Sequence, residues 1–338
     1  MQSIELMALV CLAFISDFAL ARPNSDRMNW VGFKNEYGKD YQTAEENEQR
    51  MALFLATKER IEQHNSNEQS SYKLGLNYMA DWTPEELAGI NGSYFDSIGH
   101  ERIRKLELSH DDDPFLQAIL AEPAPVPVRV DWRSVPNRVS EVKAQRKCQG
   151  SWAFAATGVL EGQQMERNLL MEPVSLSEQQ IIDCTMHADG CTGGRTDIAL
   201  KTIEGLGGIA GELDYPFLGP KDFCWYNPNK FIMKVRGVKT FVGEEDKLEK
   251  LVAKFGPVAV TISREADALY YKSGIYTCSK KQSSWNDWIL VVGYGSDRKF
   301  GDYWILKGSW GREWGENGYM RIRRGVCQIG AYVTIPLV

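Results

Sequence analysis

The chain has 338 residues, 43% hydrophobic and 25% charged, which is enough apolar material for one large or two modest domains and too much for a disordered or fibrous chain. Its net charge of -6 leaves no basic stripe to neutralise phosphates or anionic head groups, so nucleic acid is not an expected partner.

An apolar run from Leu6 to Ile15 precedes the small-residue pattern Ala19, Leu20, Ala21. It reads as a signal peptide over residues 1–21, although Glu5 is the only charge ahead of the run. Ten apolar residues are too few to cross a bilayer, and no later segment suits a span, so no membrane is expected. The expected destination is secreted or lysosomal.

Residues 22–90 form the next unit. Trp30, Phe33 and Tyr37, spaced by three and four, predict a helix over Asn29 to Lys39, and Glu45 to Asn65 predicts a second with Phe54 and Ile61 inward. Glu46 and Arg50 lie one turn apart, placed to pair. A short strand is expected over Tyr72 to Asn77, and Thr83-Pro84-Glu85-Glu86 marks a helix start. Residues 91–125 read as a linker, with acidic Asp111-Asp112-Asp113 and the proline-rich Glu122 to Pro127. Asn91-Gly92-Ser93 is the one glycosylation sequon, making Asn91 the candidate acceptor.

Residues 126–338 form the main domain. A long helix is expected from Ser151 to about Leu170 and more helix after Ser177. Short strands follow over Val258 to Ile262, Ile289 to Tyr294, Tyr303 to Lys307 and Tyr319 to Ile322. Helices first and strands later indicate α+β with two lobes. Without Cys11, six cysteines remain (148, 184, 191, 224, 278 and 327), an even set suited to an oxidising compartment and leaving no free thiol if all pair.

From Trp30 onward these residues resemble the papain-like cysteine protease family, cathepsin L type. Glu46, Arg50, Phe54, Ile61 and Asn65 follow the leader's interrupted helical signature, with Thr57 for the usual asparagine. Gly75, Asn77 and Asp81 follow the next one, with Met79 for phenylalanine. Val130-Asp131-Trp132-Arg133, Gly190-Cys191-Thr192-Gly193-Gly194, Gly256-Pro257, Val291-Val292-Gly293-Tyr294-Gly295 and Ser309 to Tyr319 match the main domain. The resemblance implies a papain-like two-lobe fold, a helical left lobe and a β-barrel-like right lobe, behind a mostly helical inhibitory propeptide. It also implies disulfides Cys148–Cys191, Cys184–Cys224 and Cys278–Cys327.

Such an enzyme needs a thiolate at a helix N-terminus, an imidazole as acid and base, and an amide to orient the ring. In Cys148-Gln149-Gly150-Ser151-Trp152 the nucleophile position holds Ser151; the histidine position holds Asp287, followed by Trp288; the asparagine position holds Gly308. Gln145 alone matches, at the oxyanion position. Beyond Val128 the only histidine is His187, in a loop between Cys184 and Cys191. A carboxylate of pKa about 3.9 is a poor acceptor for a serine proton. Asp287 is instead expected to accept from Ser151 or neighbouring backbone N–H groups and tie the lobes together.

The resemblance also marks a groove at Gly193, Gly194, Trp288 and Trp310, with Trp285, Trp288, Trp310 and Trp314 clustered on its right-lobe side. The expected function is a secreted, non-catalytic relative of these proteases with the zymogen fold, a monomer whose candidate partners are its own propeptide and a peptide or protein ligand in the groove. No metal and no cofactor are expected. Alternatives are a residual serine-type hydrolase using Ser151, or a structural or storage protein.

Overall fold

The structure is a computed structural model that describes residues 26–90, 114–121, 125–167, 174–186, 188, 190–241, 245–278 and 286–338. The segment 1–21, Asn91, His187 and Trp285 lie outside the described residues.

Residues 26–66 and 76–83 make one compact unit. Helix α1 (residues 26–37) and helix α2 (Ala44–Asn65) hold its core of Trp30, Phe33, Phe54 and Ile61. Thr43 caps α2 by accepting from Glu46 N at 3.1 Å, satisfying a donor that the helix itself leaves free. Glu46 and Arg50 pair at 3.8 Å. The Asp81 carboxylate is held by Lys39 at 2.9 Å and by Tyr41, and Arg50 donates to its carbonyl at 3.1 Å.

Residues 67–75 and 84–338 make the second unit. It opens with strand β1 (Tyr72–Leu74), helix α3 (Pro84–Ala88) and helix α4 (Pro114–Ala121). Two expectations change here. The strand stops at Leu74 instead of Asn77, and the stretch read as linker contains α4, whose Ile119 is buried and accepts from Lys254. The apolar run Phe115 to Ala121 explains that helix: two turns are enough to bury one side chain, and the flanking prolines hid the period.

The left lobe is built on helices α5 (Ser151–Arg167), α6 (Glu178–Cys184) and α7 (Thr196–Leu206), with a two-stranded sheet of β3 (Ile209–Ala210) and β4 (Phe231–Met233). Residues 151–163 of α5 are buried on every side, which explains their small and apolar composition. The right lobe is a nine-stranded sheet. Its strands are β2 (Val130–Asp131), β5 (Gly237–Phe241), β6 (Val258–Ile262), β7 (Tyr271–Tyr276), β8 (Asp287–Asp297), β9 (Gly301–Lys307), β10 (Tyr319–Arg323) and β11 (Val333–Leu337), with β1 at its edge. Helix α8 (Glu245–Phe255) joins β5 to β6. The order is β1-β7-β10-β9-β8-β6-β11-β5, with β2 added to β8. Strand β6 is wholly buried, as its run Val-Ala-Val-Thr-Ile anticipates. All three implied disulfides form.

Candidate active site

Two elements frame the site: the N-terminus of α5, which carries Ser151 from the left lobe, and the start of β8, which carries Asp287 from the right. Gly150 supplies the carbonyl that accepts from Ala153 and Phe154, so α5 begins at Ser151 and its hydroxyl stands at the helix mouth. Antiparallel pairing of β6 with β8 places Asp287 opposite Ile262.

Both side chains are buried. The Trp288 N–H is shared between Ser151 Oγ at 3.3 Å and Asp287 Oδ1 at 3.0 Å, and the Ser151 hydroxyl donates to the Asp287 carboxylate. The other oxygen, Oδ2, accepts from Arg264 Nε at 2.7 Å. Arg264 lies two residues beyond Ile262 and so lands beside Asp287, and its guanidinium sits 5.5 Å from the Trp310 ring centroid. Asn286 fixes its backbone: Arg264 N donates to Oδ1 at 2.9 Å, and Asn286 Nδ2 donates to Arg264 O at 2.7 Å. Burial raises the Asp287 carboxyl above the usual carboxylate range, partly offset by Arg264 and then by Ser151. Both carboxylate oxygens are therefore engaged, and the positive charge of Arg264 lowers the affinity of the Asp287 carboxylate for a proton from Ser151.

The sequence alone does not mark Arg264 as part of the site. A buried carboxylate requires a cation, but no linear spacing links residues 264 and 287; a clue was available only in the single arginine that closes the apolar run of β6.

Gly308 has no room for a side chain. A Cβ there would lie 2.8 Å from the Trp314 ring and 2.9 Å from the Trp310 ring, which stand edge to face with centroids 4.5 Å apart. Trp314 also packs on Tyr271. Trp288 turns the other way, donating from Nε1 to Gly194 O at 3.2 Å and standing edge-on to Tyr332 at 5.9 Å. The expected single tryptophan cluster is thus divided, because successive residues of β8 face opposite sides and Trp288 leaves on the side away from Asp287.

The two groove glycines are buried. Gly193 has φ 115°, in the region that favours glycine. Gly194 lacks a side chain for an internal reason: a Cβ would lie 2.4 Å from the Trp152 ring, and its carbonyl is occupied by Trp288. Gln145 is buried too; its Nε2 donates to Cys148 O at 2.8 Å and to Ile90 O at 3.2 Å, and its Oε1 accepts from Ser309. A recess of about 20 Å³, lined by Ser151, Trp288, Gly308 and Glu161 among others, holds about one water molecule.

A buried charge cluster lines the same recess. Lys143 donates to Glu161 at 2.8 Å and to Glu178 at 2.6 Å, while Lys307 from the right lobe donates to Ser140 at 2.8 Å. Ser140 and Thr157 donate to Glu161 and Glu178 respectively. Burial pushes the Glu178 carboxyl up to about 7 and the Lys307 ammonium down to about 8. Burial acts to raise the Glu161 carboxyl, but the Lys143 and Lys307 charges outweigh it and hold the group below its ordinary value.

Among the described residues no group of three or more His, Cys, Asp or Glu is placed to hold a metal ion, and no helix is long and apolar enough to cross a membrane.

Residues 126–337 match the papain family cysteine protease model, and residues 30–87 match the cathepsin propeptide inhibitor domain (I29). The chain is 33% identical to cathepsin L of Sarcophaga peregrina, covering 98% of this chain and 99% of that one. It is equally 33% identical to testin-2 of Rattus norvegicus, with both chains wholly covered. Digestive procathepsin L 3 of Tenebrio molitor larval midgut superposes with a TM-score of 0.80 at 33% identity, over 93% of this chain and 99% of that one.

Proposed function

Since the chain belongs to the papain family of cysteine proteases, with a cathepsin propeptide inhibitor domain ahead of the protease domain, we propose that it is a non-catalytic member that keeps the zymogen fold. Its role is to present a surface or a narrowed groove to a peptide or protein, without cutting it. In this reading Ser151, Asp287 and Gly308 are the degenerate nucleophile, base and orienting positions. Gln145 is a retained oxyanion residue now bonded to main-chain carbonyls. The route is secretory, ending outside the cell or in lysosomes, with Asn91 as glycan acceptor.

One observation carries the proposal: Oδ2 of the buried Asp287 is held by Arg264 at 2.7 Å. A serine hydroxyl without a base is not a competent nucleophile, and losing triad members in serine proteases costs on the order of 10⁴ to 10⁶ in turnover. The residual Ser151 hydrolase is disfavoured on the same ground.

The test is a fluorogenic peptide panel and an ester substrate offered to purified protein from which the leader has been removed, beside its Ser151→Ala variant. Equal background rates are expected. Turnover that disappears in Ser151→Ala overturns the proposal.

A further inference from the structure

Among the described residues, eleven large apolar side chains stand more than a third exposed, and seven of them fall between residues 186 and 232 on the left lobe. Leu213 is 99% exposed, Met186 88% and Phe223 79%, with Leu218 and Trp225 more than half exposed. Isolated exposed apolar residues are ordinary, but such a concentration within one stretch of the left lobe marks a candidate interaction site.

The segment that carries them is held firmly from beneath. Gln179 of α6 is buried; its Oε1 accepts from Leu218 N and Gly219 N at 2.8 and 2.9 Å, and its Nε2 donates to Pro220 O at 2.9 Å. Asp183 accepts from Asp222 N and from the Tyr215 hydroxyl, both at 2.8 Å. Lys221 Nζ donates to Thr185 O and Ala188 O, which brings its segment beside Met186. The Cys184–Cys224 disulfide fastens the same loop to α6. Trp225 lies flat on the buried Tyr215, ring centroids 4.0 Å apart, so Tyr215 backs one face and the half-exposed ring offers the other to solvent. Buried polar groups thus hold apolar side chains out in water, and a surface ordered in advance loses little freedom when it is covered.

We propose that this face is the contact between two copies of the chain related by a two-fold axis. Taking about 150–250 Å² per large side chain and scaling by these exposures gives a summed exposed area on the order of 800 Å², about what one partner contributes to a stable interface. A two-fold axis sets the patch against itself, so apolar surface meets apolar surface without a second kind of chain. The rim suits such a match because it carries both signs: Asp214 and Lys230 pair at 2.9 Å and remain partly exposed, and Asp222 lies next to Lys221. The axis can place Asp214 of one copy opposite Lys230 of the other. None of this uses the geometry around Ser151, so the dimer and the non-catalytic reading fail separately.

The experiment is sedimentation velocity on the full chain between about 1 and 100 μM, repeated on a Leu213→Glu, Phe223→Glu variant. Wild type is expected to approach twice the single-chain mass, and the variant to dissociate at least about 100-fold more readily, since each substitution enters the interface twice. Both side chains project into solvent, so far-UV circular dichroism of the variant is expected to match wild type. A single-chain mass throughout the range overturns the proposal, whether another protein or a lipid surface then covers the patch. A dimer that the variant leaves unchanged overturns it as well, because the contact then lies elsewhere.

Discussion

Arg264 and Asp287 meet at 2.7 Å in the interior of the right lobe, with 4% and 0% of their side chains exposed. A buried pair of this kind contributes little net stability when intact, yet breaking it is costly because one charge is left without a partner. Arg264→Met is expected to destabilise the protein by about 3–5 kcal/mol in urea unfolding, and Arg264→Met with Asp287→Leu to recover most of that loss. A single-variant cost below about 1 kcal/mol would mean that Asp287 is not held as an ion.

Restoring cysteine alone will not restore chemistry. Ser151→Cys supplies a thiol but no proton acceptor, so peptide turnover is expected to stay at background. Adding Asp287→His places an imidazole against the Arg264 guanidinium, which disfavours the imidazolium that the reaction passes through. Turnover is expected only when Arg264 is replaced as well, and a two-residue repair that cleaves peptides would show that the arginine is no obstacle.

Gly308→Asn is expected to cost stability and not to help catalysis. Its Cβ would lie within 2.9 Å of two indole rings, and overpacking of a filled core typically costs about 1–3 kcal/mol. A thermal midpoint equal to wild type would show that Trp310 and Trp314 can move aside.

Trp288→Ala removes a buried ring that links β8 to Gly194 and Tyr332. The expected loss is about 3–5 kcal/mol, together with a void beside Gly194 that can admit an apolar side chain. Peptide affinity measured by fluorescence anisotropy is expected to rise in this variant; no change would mean that Trp288 does not narrow the groove.

The charge cluster makes stability depend on pH. The Glu178 carboxyl, with an ordinary value of 4.5, is raised to about 7 in the fold. Its contribution is therefore complete below pH 4.5 and lost as pH rises through 7. The thermal midpoint is expected to fall between pH 5 and pH 7.5, with a slope of at most about 1.4 kcal/mol per pH unit. Lys307 works in the opposite direction at higher pH: lowered to about 8 from 10.5, its contribution is complete above 10.5 and lost as pH falls through 8. Asp287 is raised too, so Glu178→Gln is the control; it is expected to flatten the acid-side slope, and an unchanged slope would assign the effect elsewhere.

The sequence announced those features that depend on residue type at a fixed place along the chain. The apolar spacing of Trp30, Phe33, Phe54 and Ile61 gave the leader helices, and the mostly apolar runs within β6 and β8, bounded by glycine or charged residues, gave strands. Helix α4 escaped because two turns between prolines carry too short a period to read. The divided tryptophans are not legible because alternation along β8 decides which lobe Trp288 enters, and that strand begins at Asp287, two residues before its apolar run from Ile289.

By itself, then, the amino-acid order determined the family, the two lobes, the cysteine pairs that family likeness implied, and the absence of a thiol and an imidazole from positions 151 and 287. Only the tertiary structure decided what the side chains there contact: the buried Asp287 carboxylate is shared among Ser151, the Trp288 amide and Arg264. The reason is that a charge leaving water takes whatever counter-charge lies nearest in space, and nearness between residues 264 and 287 is created by the pairing of two strands.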